Sequence, residues 1–75
     1  MPKQLPNISG SKCVEALEKA GFHFVRRPKG SHFFMQRDDP FAAVSVPDRR
    51  ELGRGVLRSI IRDAGLTVDQ FVDLL

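Results

Sequence analysis

Apolar residues recur along this chain with two different periods, and the change of period divides it into elements. Cys13, Ala16, Leu17 and Ala20 follow i, i+3, i+4, i+7 spacing, which predicts a helix capped by Ser9 or Ser11 and running to about Ala20. Gly21 then stands where a left-handed helix stop is wanted. Phe22 to Arg27 is aromatic and β-branched before it ends in two arginines, and reads as a strand. Pro28-Lys29-Gly30 is a turn, Ser31 to Arg37 a second strand, and Asp38-Asp39-Pro40 a second turn. In Phe41 to Val46 the alternation of Ala42, Val44 and Val46 gives a third strand with one apolar face. Pro47 ends it, and residues 48–53 form a connection. Leu57, Ile60, Ile61 and Ala64 restore the helical period over Arg54 to Ala64, closed by Gly65. Thr67 with Gln70 three residues on is a capping-box pattern, opening a last short helix that buries Phe71, Val72, Leu74 and Leu75. Residues 1–8 read as a loose lead-in, because Pro2 and Pro6 discourage regular structure.

The element order α-β-β-β-α-α, with short turns between strands, predicts an α+β fold. Its core is a three-stranded antiparallel meander with the helices packed on one face, as in double-stranded-RNA-binding domains. At 75 residues, 1–75 is expected to be one domain, and 41% hydrophobic residues suffice for one sheet face and one helical layer. No apolar run approaches the roughly 20 residues of a membrane span. Residues 1–6 lack the apolar stretch of a signal peptide, and Cys13 is the sole cysteine, so a cytoplasmic chain without disulfides is expected. The net charge of +3 is unevenly spread: residues 1–37 hold seven Lys or Arg against Glu15 and Glu18, while Asp63, Asp69 and Asp73 make the C-terminus acidic. Such a basic front suits a polyanionic partner, or is ordinary solvated charge.

Few residues can carry chemistry. His23, His32 and Cys13 fall in separate elements without paired spacing, so no metal or cofactor site is expected. Asp38 and Asp39 lie in a Pro-containing turn and serve turn chemistry, and no Gly-rich phosphate loop leads into a helix. The segment from Arg26 to Phe34 differs from the rest. Arg26, Arg27 and Lys29 surround a tight turn whose Gly30 leaves backbone N–H groups free, which is what a phosphate needs. His32 follows, and imidazole is the group that exchanges protons near neutral pH. Phe33 and Phe34 can stack unpaired bases, although they point to opposite faces and one should belong to the core. His32 alternates with Phe34, so it is either a proton-transfer group or a partly buried strand residue. Ser31 has no evident acid–base partner and reads as a turn hydroxyl, and His23 as structural or surface. Arg54, Arg58 and Arg62 recur every four residues; with Arg49 and Arg50 they either hold a phosphate backbone or acidic partner, or form the solvated face of the helix.

At Lys29-Gly30-Ser31-His32 the chain resembles the HicA family of bacterial mRNA interferase toxins. The likeness extends through Leu17-Glu18-Lys19-Ala20-Gly21-Phe22, through Gly30-Ser31-His32, and through Val46-Pro47 followed by Glu51 to Ile60. It ends at Arg62-Asp63-Ala64-Gly65-Leu66. The resemblance implies a metal-independent endoribonuclease acting on mRNA, with His32 as its catalytic acid or base. Arg26, Arg27, Lys29, Gly30, Ser31, Arg49 and Arg50 are then the expected RNA-binding group. It further implies a HicB-type antitoxin encoded nearby, so a monomer when free and a hetero-oligomer with that antitoxin are expected. Family members often carry a histidine soon after the Val-Pro pair; here the residues are Asp48-Arg49-Arg50. An arginine supplies charge there but exchanges no proton near neutral pH. The competing reading from the residues is a module of the same fold that binds RNA without cutting it, and a third is a domain that binds only protein.

Overall fold

The computed structural model describes residues 4–26 and 32–75, with Arg26 described by its backbone. The elements are α1 (Gly10–Lys19), β1 (His23–Arg26), β2 (His32–Asp38), β3 (Phe41–Pro47), α2 (Arg54–Asp63) and α3 (Val68–Val72). The sheet is antiparallel throughout, in the order β1-β2-β3. The α+β arrangement and its element order are those the hydrophobic pattern predicts.

Local sequence explains where each helix begins and stops. Ser9 is the cap of α1, its hydroxyl accepting from the Lys12 N–H at 3.1 Å. Thr67 and Gln70 close a complete capping box at the head of α3. Gly21 and Gly65 adopt φ of 95° and 75° just past α1 and α2, a conformation that a Cβ would strain.

One core spans the chain from Leu5 to Phe71. Ala42, Val44 and Val46 of β3 are buried, and their register partners on β2 are Arg37, Met35 and Phe33. The helix-facing side of β2 and β3 is therefore built from those six residues, and Phe24 of β1, paired with Met35, continues it. Leu17 and Cys13 of α1, Leu57 and Ile61 of α2, and Phe71 of α3 close over it. Arg37 is the exception in this apolar layer, and its head escapes by capping. Its guanidinium lies 4.8 Å over the Phe22 ring, with Nε donating to the Pro40 carbonyl and Nη2 donating to that of Ala64 at the end of α2. A cation is favoured at that helix end.

The lead-in has no regular structure over residues 4–9, yet it is not loose there. Leu5 is buried, and the Leu5 carbonyl accepts from Arg54 Nε. Asn7 Oδ1 accepts from the Gly53 N–H, and the Ile8 carbonyl from that of Leu52. Backbone polar groups near the core need partners, and this strap finds them at the start of α2. Sequence reasoning saw the prolines but not these long-range bonds.

Phe71 is wholly buried and is the one fully buried side chain of α3, with Val68 and Val72 partly buried beside it. Phe71→Ala should cost about 3–5 kcal/mol, a large share of the stability of a small domain. Urea unfolding would read this as a fall in midpoint with the slope little changed.

Candidate active site at one end of the sheet

The β2–β3 register places His32 opposite Pro47, at the end of the sheet where β1 finishes and β3 leaves for the Asp48–Gly53 connection. Phe33, Met35 and Arg37 occupy the helix side, so alternation sends His32, Phe34 and Gln36 to the other, open face. His32 is exposed, not packed away inside the strand. Phe34, partly buried, is the next residue on that face and stands opposite Ser45 of β3. Phe33 instead packs against the core and meets Phe24 edge-on, with ring centroids 6.2 Å apart. The two aromatics are thus divided as expected, one for each face.

Arg49 and Arg50 come to the same end of the sheet. The chain leaves β3 through Pro47, whose carbonyl accepts from the Arg49 N–H at 3.1 Å, while the Arg49 carbonyl accepts from the Gly10 N–H at 2.9 Å. Both arginines are exposed. This connection is held by the close approach of α1: a Cβ on Gly10 would collide with the Pro47 carbonyl and crowd the Asp48 backbone. Only glycine fits at this first position of α1. Sequence reasoning missed Gly10, although a glycine inside a first helical turn is a signal that another backbone passes close by.

Arg26 ends β1, its Cα paired with that of Phe34 across a bulge. Arg27, Lys29, Gly30 and Ser31 lie outside the described residues. His23 shares the open face but pairs with Gln36, four residues along β2 from His32. That separation is about 13 Å along the strand, too far for the two imidazoles to act on one phosphate. The candidate site therefore has one imidazole among its described residues, and one proton transfer for it to perform.

Arg54, Arg58 and Arg62 are exposed along α2. Arg54 is already engaged with the Leu5 carbonyl, and Arg62 lies 3.8 Å from Asp63. Asp38 accepts from Gln36 Nε2, as suits a turn residue. Among the described residues no three of His, Cys, Asp or Glu gather as a metal-binding group, and no helix is long and apolar enough to cross a membrane.

Burial pushes the Cys13 thiol up from 9.0 to about 12, which keeps it protonated and unreactive at neutral pH. A thiol reagent should therefore label Cys13 only when the chain unfolds, at a rate that rises with urea. The unfolded thiol ionises at lower pH than the folded one. The contribution of the buried thiol to stability is then complete below pH 9 and declines as pH rises toward about 12. Denaturation midpoints on either side of that window check the sign.

A family model described as the HicA toxin of bacterial toxin–antitoxin systems matches residues 10–66. The match runs from the glycine at the head of α1 to the residue after Gly65, and takes in the whole sheet and α2. A search of curated proteins gave no match.

Proposed function

Because the chain belongs to the HicA family, the toxins of bacterial toxin–antitoxin systems, we propose that it is a metal-independent endoribonuclease that cleaves mRNA in the cytoplasm, with His32 as its catalytic acid or base. The observation that carries this reading is the exposure of His32 on the open face, beside the Arg49–Arg50 connection. RNA brings its own nucleophile. The 2′-hydroxyl attacks the adjacent phosphorus, the P–O5′ bond breaks, and a 2′,3′-cyclic phosphate and a 5′-hydroxyl result. One proton leaves O2′ and one arrives at O5′. His32 serves one of these transfers, and water serves the other.

A positioned acid or base contributes typically 10²–10⁴-fold, or about 3–5 kcal/mol. Charge growing on the phosphoryl oxygens calls for fixed cations and N–H donors. We assign this role to Arg26, Arg27, Lys29 and the Gly30 and Ser31 backbone, with Arg49 and Arg50 holding the flanking phosphates. A HicB-type antitoxin would neutralise the toxin in a hetero-oligomer by covering this end of the sheet.

His32→Ala should lower cleavage of a long single-stranded RNA at least 10²-fold. Its unfolding free energy should stay within about 0.5 kcal/mol, because the replaced side chain is exposed. Products from the parent chain should carry cyclic phosphates by mass spectrometry and form equally in the presence of chelator. Full activity in the His32→Ala chain would overturn the assignment. Salt-dependent binding without any product from the parent chain would point instead to a module that docks on RNA. Arg49→Ala should weaken RNA binding and flatten its log–log salt dependence by about 0.7, the loss of one phosphate contact to a single strand.

A further inference from the structure

The two edges of the sheet are not alike. β1 is four residues long, is interrupted by a bulge between Phe24 and Arg26, and ends on an arginine. Short length, bulges and charges are the features that stop strangers from adding to a sheet. β3 has none of them. It pairs with β2 residue for residue over all seven positions, Phe41 to Pro47, and carries no charged side chain. Among the described residues, no hydrogen bond joins the backbone of residues 41–46 to anything but β2. Its outward side chains are exposed and uncharged: Phe41 (69% exposed), Ala43 and Ser45.

Charge reappears just beyond the two ends of this strand, wholly acidic at its start and net basic past its finish. Asp38 and Asp39 precede it and are exposed, while half-buried Asp48 and then exposed Arg49 and Arg50 follow it. An edge that is acidic at its start and basic past its finish complements itself when turned end for end. We propose that β3 is a self-association edge, which pairs antiparallel with β3 of a second copy of this chain about a two-fold axis at Val44. Such an isologous contact joins the two sheets into one of six strands and brings the Asp38–Asp39 turn of each copy to the Arg49–Arg50 segment of the other. The two His32 side chains then lie at opposite ends of the joined sheet, and beside each of them RNA phosphate and the second copy's carboxylates compete for Arg49 and Arg50. This assembly departs from the expected free monomer, and it does not depend on what His32 does.

Sedimentation equilibrium of the purified chain should show a reversible dimer. A single strand pairing is a small interface, so the midpoint is expected on the order of 10–100 µM. Ala43→Lys puts a charge on the exposed side of the edge and should weaken association at least tenfold, with RNA cleavage per chain unchanged when both chains are assayed well below the parent's dimer midpoint. Asp39→Arg should also weaken it, and adding Arg49→Asp to that chain should restore it, since acid and base are merely exchanged. Far-UV circular dichroism establishes that each variant is folded. A parent chain that stays monomeric across the series would overturn the proposal, whether or not an antitoxin strand occupies the edge. So would a folded Ala43→Lys chain that dimerises like the parent, or a double variant that gains nothing over Asp39→Arg.

Discussion

The register between β2 and β3 is the constraint from which the rest of the molecule follows. Val46, Val44 and Ala42 must face the helices because they have no other way to leave water, and each fixes a partner on β2: Phe33, Met35 and Arg37. Once these three face inward, His32 and Phe34 face outward. A slip of one residue would exchange the two sets, burying an imidazole and exposing Met35. The exposure of the candidate catalytic side chain is thus a consequence of core packing on the opposite face of the same strand.

A second constraint sets what His32 has for neighbours. α1 lies so close to the end of β3 that its first residue must be Gly10, and the Gly10 N–H holds the Arg49 carbonyl. The backbone of Arg49 is thereby held just past the strand residue that pairs with His32, with Arg50 next to it and both side chains exposed. At the other end of the sheet Arg37 ties β2 to the end of α2 through the Ala64 carbonyl, with Gly21 and Gly65 beside it, where a Cβ at either position would come against the arginine. The sheet is held to the helices at both ends, and its other face, which carries His32, is left open.

Much of this was legible in the sequence because it rests on local rules. Helical periods, the Thr67–Gln70 capping box, the stop glycines and the alternation of Ala42, Val44 and Val46 all act within a few residues. They placed the three strands, α1 and α2 to within one or two positions of their observed limits, and the start of α3, which stops at Val72, short of Leu74 and Leu75. What was not legible depends on residues far apart in the chain. The bonds that tie down Leu5, Asn7 and Ile8 reach to α2, the Gly10 contact reaches to Pro47, and Arg37 spans from Phe22 to Ala64. No period or composition announces such contacts. At the candidate site, the sequence singled out His32 and the two arginines by residue type, while their meeting at one end of the sheet needed the topology. The Arg27 to Ser31 part of that site still rests on the sequence.

An RNA-cleaving toxin of this kind would ask little of its fold: one imidazole in the open, cations to hold phosphates, and a nucleophile that the substrate provides. The most direct test of this view is to titrate the chain with an RNA oligonucleotide whose 2′-hydroxyls are methylated, so that it binds without being cut, while following the histidine ring signals by NMR. The account predicts that the His32 signals move with the Arg49 and Arg50 amides while those of His23 stay in place. Shifts confined to the arginines of α2, with His32 unmoved, would contradict it.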